Sequence, residues 1–147
     1  MAKAYNDIGI ELRIKNTTDE KYSSAPLVEI KSTPATGQAG GTLEVTTHSD
    51  PTKVYIPDRP DTGDMDYTYN YTEANYTAVK GVCDNTEKDI LIKYPDGTGV
   101  EYRGVCQTWH NEVSVGAVLE CTLHTVPATS PADLTSAQTA AKITTSV

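Results

Sequence analysis

The chain has no phenylalanine and a single tryptophan, so nine tyrosines carry nearly all of its aromatic bulk. A Tyr has an apolar body and a polar tip, which suits half-buried sheet faces and interfaces. Long hydrophobic runs are missing too. None approaches the ~18 apolar residues of a membrane span, and the opening Met-Ala-Lys-Ala-Tyr-Asn-Asp is not a signal-peptide pattern. Cysteine is scarce: Cys83, Cys106 and Cys121 cannot all pair, and none stands in a CxxC or CxxxH zinc spacing. These features suit a chain made in a reducing cytoplasm, with Cys121 a small core residue in step with Leu119 and Leu123.

Basic charge is the other deficit. Twelve Lys and Arg stand against twenty Asp and Glu, for a net charge of −8. Residues 1–41 balance, whereas residues 42–76 hold seven acids against only Lys53 and Arg59. Such a chain is a poor candidate for gripping DNA, because phosphate binding needs Lys and Arg. Its acidic surface serves solubility, or stays beside nucleic acid without adhering to it.

Catalytic patterns are missing as well. His48, His110 and His124 lie apart in the sequence, with no HExxH, GxSxG or Gly-rich phosphate loop among them. His48 near Asp50 reads as an exposed polar pair at a strand end. No catalytic, cofactor-binding or metal-ligating residue is assigned.

What is present is mainly β, in a length of 147 residues that fits one domain. Ile8, Ile10, Leu12 and Ile14 alternate with polar residues, the pattern of a half-buried strand. Further strands are expected near 26–32, 42–48 and 64–71, the last with Met65, Tyr67, Tyr69 and Tyr71 packed inward. Between the second and third of these lies a Pro-, Asp- and Thr-rich loop, 49–63, long enough to be functional. Residues 72–84 are the helix candidate of the body, with Thr72 as N-cap and Glu73 at the positive end of the dipole. Ile90, Ile92 and Tyr94 lead into Pro95-Asp96-Gly97-Thr98-Gly99, a strong hairpin turn, and a return strand runs to about Trp109. A final strand is expected over 113–126, bent near Gly116.

After Pro127 the composition turns to Ala, Thr and Ser. Ser130-Pro131-Ala132-Asp133 is a credible helix start, giving a short helix to about Lys142 with Leu134 its anchor. Residues 129–147 are thus a C-terminal arm that either orders against a neighbour or stays disordered, and residues 1–4 are a short N-terminal arm. Residues 1–128 form the single β domain.

In joint order these features resemble the tail-tube (major tail) proteins of long-tailed, siphovirus-type bacteriophages. The likeness covers about residues 5–128. It is carried by Tyr94, Pro95, Asp96, Gly97, Thr98, Tyr102, Arg103 and Gly104, by the Val-rich strand after them, by the helix before Ile90 and by the long loop before Tyr67. The resemblance implies a β-sandwich or barrel of antiparallel sheets with one flanking helix, and no enzyme activity or cofactor. Six copies would form a ring, and rings would stack into the virion tail tube, after synthesis in the host cytoplasm. Tape-measure, tail-terminator and tail-tip proteins would be partners, and DNA would pass through the lumen without specific binding. On that footing the polar faces carrying Glu44 and Thr46, and Asp64, Asp66 and Thr68, are the expected lumen lining. The loop residues Asp50, Lys53, Tyr55, Asp58, Arg59 and Asp61 are the expected ring-stacking contacts. The rival reading is a small β-sandwich binding module, a virion decoration or carbohydrate-binding domain, with Tyr and Trp109 as stacking platforms.

Overall fold

Between Tyr94 and Thr98 the chain reverses as its composition requires. The Gly97 amide donates to the Tyr94 carbonyl at 3.0 Å, and the Tyr94 amide to the Thr98 carbonyl at 2.8 Å. Gly97 takes φ +91°, a left-handed backbone that glycine enters at no steric cost. The Asp96 carboxylate accepts from the Thr98 amide and hydroxyl at 3.0 and 2.6 Å. The structure, a computed structural model, describes residues 10–36, 41–59 and 63–143.

Its elements in chain order are β1 (Glu11–Asn16), β2 (Ile30–Ser32), β3 (Thr42–Glu44), β4 (Tyr55–Pro57), β5 (Met65–Asn70), α1 (Glu73–Val82), β6 (Glu87–Lys93), β7 (Gly99–His110), β8 (Glu120–Pro127), β9 (Ala132–Leu134) and α2 (Ser136–Lys142). The main sheet runs β1-β6-β7-β8-β5-β2, with β9 also paired to β7. All of these pairings are antiparallel. Just ahead of β2, Val28 bridges Leu12 of β1, and the Leu27 amide donates to the Leu12 carbonyl at 2.9 Å. The sheet therefore curls back on itself into two layers.

β7 belongs to both layers. Its first half pairs with β6, Gly99 opposite Lys93, and its second half with β8, His110 opposite Cys121. The handover falls at Gly104, which faces Lys88 on one side and Pro127 on the other. A Cβ at Gly104 would lie 2.6 Å from the Val126 carbonyl oxygen, so only glycine lets the strands approach this closely.

Between the layers sits one core. Leu12, Ile90, Ile92 and Tyr102 come from one side; Met65, Tyr67, Tyr69, Cys106, Cys121 and Leu123 come from the other. The missing phenylalanine is replaced by tyrosines whose hydroxyls are paired, as buried polar groups require. Tyr67 and Tyr102 share a hydrogen bond of 2.7 Å, and Tyr102 reaches the Thr125 hydroxyl at 2.8 Å. The Tyr69 hydroxyl meets that of Thr108 at 2.7 Å. Helix α1 lays Val79, fully buried, on the same core. Its N-cap is Thr72, whose hydroxyl accepts from the Asn75 amide at 3.1 Å.

The structure is thus the expected mainly-β sandwich with a flanking helix, but three elements differ from the sequence reading. Residues 49–63 are not one uninterrupted loop. Tyr55–Pro57 pairs with Thr42–Glu44 as a separate two-stranded sheet, because Val54-Tyr55-Ile56 is a short β-forming run inside polar surroundings. The last long strand starts at Glu120, not at Val113. Residues 111–119 make a loop in which Gly116 takes φ +84° and the Asn111 amide donates to the Glu120 carbonyl at 2.9 Å. The C-terminal helix starts at Thr135 rather than Ser130. Thr135 and Gln138 form a reciprocal capping box there, while Ala132–Leu134 is drawn into pairing with Glu101, Val100 and Gly99. The expected N-terminal arm, 1–4, lies outside the described residues.

Candidate assembly surfaces

Alternation along β5 separates the two faces of its sheet. Met65, Tyr67 and Tyr69 are buried, so Asp66, Thr68 and Asn70 point outward. Opposite them on β8 stand His124, Thr122 and Glu120, and next to those on β7 lie Gln107 and Trp109. This outer face is polar and acidic. His124 contacts the Asp66 carboxylate at 2.5 Å through Nδ1 and Asp64 at 3.5 Å through Nε2. Lys31 pairs with Glu120 at 3.4 Å, and the Ser32 and Thr68 hydroxyls share a bond of 2.6 Å. Trp109 is half-exposed, its ring 5.5 Å from that of His124.

Asp64, Asp66 and Thr68 therefore do share one face. Glu44 and Thr46 do not join them. Outward parity within a strand says nothing about which sheet the strand enters, and β3 pairs only with β4. His124 was missed because a lone His on an apolar strand carries no signal until its neighbour across the ladder is known.

The second surface is the β3–β4 hairpin, residues 41–59. Every residue in it is exposed except Asp50, which is half-buried. Asp50 fastens the turn: its carboxylate accepts from the Thr47 amide at 2.8 Å and the Thr47 hydroxyl at 3.1 Å. Leu43 pairs across with Ile56, and the Val45 amide donates to Val54. Side chains opposite one another share a face, so Leu43, Val45, Val54 and Ile56 make one apolar face, with Glu44 and Tyr55 on the other. Of the expected stacking residues, Asp50, Lys53, Tyr55, Asp58 and Arg59 belong to this hairpin; Asp61 lies outside the described residues. The alternation of Leu43 with Val45 and of Val54 with Ile56 about the Asp50-Pro51 turn was the signal for it.

A third surface lies at the far end of β5. The loop 111–119 exposes Val113, Val115, Val118 and Leu119. Beside it, Tyr71, Tyr76 and His110 pack together, with the Tyr76 and His110 rings stacked at 4.4 Å.

The C-terminal segment is docked on the first layer. Thr139 is fully buried, Leu134 is half-buried opposite Gly99, and Lys142 pairs with Glu101 at 3.1 Å. A cleft of about 520 Å³ beside it is lined by Lys15, Asp89, Glu101, Arg103, Ser130 and Lys142. Its charges are engaged with each other, Asp89 meeting Lys15 at 2.5 Å and Arg103 at 3.0 Å. Burial opposes ionisation of Asp89, but those two cations outweigh it and hold the carboxyl below its ordinary range.

No protein-family model matches the chain, and no curated sequence matches it. Solved structures do. A chain from the tail of an empty GTA (gene transfer agent) particle, refined helically with C6 symmetry, superposes with a TM-score of 0.65 at 12% identity. The match covers 90% of this chain and 99% of that one. A chain from the six-fold symmetrised baseplate of the anti-feeding prophage gives a TM-score of 0.58 at 8% identity, covering 92% of this chain and 99% of that one. At such identities the likeness is one of fold.

Proposed function

We propose that this chain is a structural subunit of a phage-type tail tube, assembling with copies of itself into stacked rings of six. The observation that carries this reading is the extent of the fold match: nearly the whole of a chain from a C6-symmetric tail superposes on nearly the whole of this one. In such a ring the acidic face of Asp64, Asp66, Thr68, Glu120 and His124 lines the bore, and the lumen is a conduit for DNA. Like charge there repels passing phosphates at short range. The β3–β4 hairpin, with Asp50, Lys53, Tyr55, Asp58 and Arg59, and Glu44 and Thr46 now with them, meets the next ring. Closure into a ring also removes exposed sheet edges, which are otherwise an aggregation liability. Tape-measure, terminator and tip proteins would be the further partners in a virion tail of siphovirus type.

Negative-stain microscopy of the purified protein tests this directly. Rings or tubes with a six-fold average are the expected result. A chain that stays monomeric at high concentration and binds glycans through half-exposed Trp109 would instead favour the small binding module.

A further inference from the structure

We infer that the apolar face of the β3–β4 hairpin in one copy seats on the 111–119 loop of a second copy, head to tail. This inference rests on the tail-tube reading and names the acceptor that the reading leaves open. The donor face is Leu43, Val45, Val54 and Ile56, which are 47%, 42%, 40% and 45% exposed. The acceptor is Val113, Val115, Val118 and Leu119, which are 49%, 108%, 62% and 38% exposed. Each patch leaves on the order of a few hundred Å² of apolar surface in water, in the range of the largest patches on typical monomers, which are often functional.

Topology sets their arrangement. β2 and β5 pair so that the excursion carrying the hairpin leaves and returns at the Met65 end of β5, where Met65 faces Thr125. The loop 111–119 leaves from the other end, where Asn70 faces Glu120. A six-residue strand holds the two ends roughly 17–20 Å apart. Both patches remain exposed in the same chain, so neither covers the other. Two copies offset along the β5–β8 ladder bring hairpin to loop. A contact between two different patches does not close on itself when the offset is a translation, so it propagates as a stack.

The acceptor is shaped before any contact is made. The loop is preformed, with the Ala117 amide donating to Ser114 at 3.0 Å around Gly116. Its one charge is Glu112, so the seating surface is chiefly apolar on both sides. Each patch is smaller than the ~800 Å² per partner of a standard stable pair. One contact is therefore weak, and a ring of them acting together is strong.

The test is cysteine cross-linking between single variants, I56C and V115C, each carrying Cys83→Ser because Cys83 is half-buried while Cys106 and Cys121 are buried. Ile56 and Val115 are exposed, so both variants keep the fold, as circular dichroism would check. With a short bismaleimide, the mixture is expected to give mixed dimers roughly tenfold above either variant alone. In addition, Val115→Asp should raise the critical concentration for assembly roughly tenfold. Homotypic I56C dimers in place of mixed ones, or no cross-link at all, overturn the inference whether or not tubes form. Absence of tubes in micrographs of the unmodified chain overturns the tail-tube reading alone, and mixed dimers in that case leave the contact standing.

Discussion

The Tyr22 hydroxyl donates to the Glu101 carboxylate at 2.6 Å, tying the 17–29 linker to the middle of the sheet. The other Glu101 oxygen holds Lys142 at 3.1 Å, and the Tyr22 amide donates to the Lys142 carbonyl at 2.8 Å. Tyr22 is fully buried, and burial together with the Glu101 bond pushes its phenol far above its usual range. Replacing Glu101 by Ala strands a buried hydroxyl, at about 1–3 kcal/mol. The expected outcome is local: amide exchange accelerates at Tyr22 and across α2, while β5 and β8 keep their protection. Uniform loss of protection would mean that this docking is inseparable from the β-body.

Acid acts on the same region through Asp89. Its folded pKa is depressed: burial raises it, and the bonds from Lys15 and Arg103 lower it further than that. A depressed carboxylate contributes stability that is fully present above its unfolded value of about 3.9 and is lost as pH falls through the folded one. Asp84, hydrogen-bonded by Thr86 and Lys88 and held at about 2, adds its dependence in the same acid window. Urea midpoints should hold down to about pH 4 and then fall; Asp89→Asn should lower the neutral plateau and flatten that fall. A variant with the same acid slope as the parent would assign the dependence elsewhere.

Gly104 is where the two layers share a strand. The Cβ of Gly104→Ala would meet the Val126 carbonyl oxygen at 2.6 Å and the Pro127 Cα at 3.2 Å, and backbone cannot swing aside as a side chain can. The expected cost is about 1–3 kcal/mol, as for other overpacked sites, read as a lower thermal midpoint. Gly81→Ala, with nothing within 4 Å of the added carbon and a helix to favour it, should leave stability equal or higher.

Much of the fold was legible because it is local. The buried Met65, Tyr67 and Tyr69 follow from period two alone, the Gly97 turn from its residues, and α1 from Thr72 and the spacing of Tyr76 and Val79. The failures are all questions of pairing. Val113 and Val115 alternate like a strand, but alternation makes a strand only where a partner takes its backbone bonds, and Gly116 with the Asn111–Glu120 closure turns that stretch into a loop. Ser130-Pro131 carries a sound helix start, yet Gly99–Glu101 captures the residues after it as β9. Glu44 and Asp66 both face outward, on different sheets. Partners distant in sequence decided each case.

The thiols are expected to be slow. Burial raises Cys106 to about 12 and Cys83 to about 11, and it raises Cys121 as well. The thiolate is the reactive form, so at neutral pH alkylation of the folded chain should be slow at all three. Half-buried Cys83 should react first. In denaturant all three should react together, as mass spectrometry would resolve. Fast labelling of Cys106 or Cys121 in native buffer would mean that the sheet opens at the β7–β8 ladder.

The last prediction concerns the bore of the proposed tube. Asp66 is exposed, and its contact in the subunit is with His124 on a solvent-facing sheet. Asp66→Lys therefore costs the fold little, within about 0.5 kcal/mol for an exposed site plus the loss of one surface pair. In an assembled tube the same change would repeat once per subunit and turn a repelling surface into one that contacts phosphates. Phosphate contacts release counterions, so the gain in DNA binding should be strong at low salt and fade as salt rises. Tubes of the parent chain should leave double-stranded DNA unretarded in a gel, and tubes of Asp66→Lys and of Asp64→Lys should retard it in a salt-dependent way. Lys at Asp19, an exposed residue of the linker after β1 and outside both proposed assembly surfaces, is the control for net charge and should have a much smaller effect. Equal retardation by all three variants, or a reconstruction with Asp66 on the tube exterior, would remove this face from the lumen.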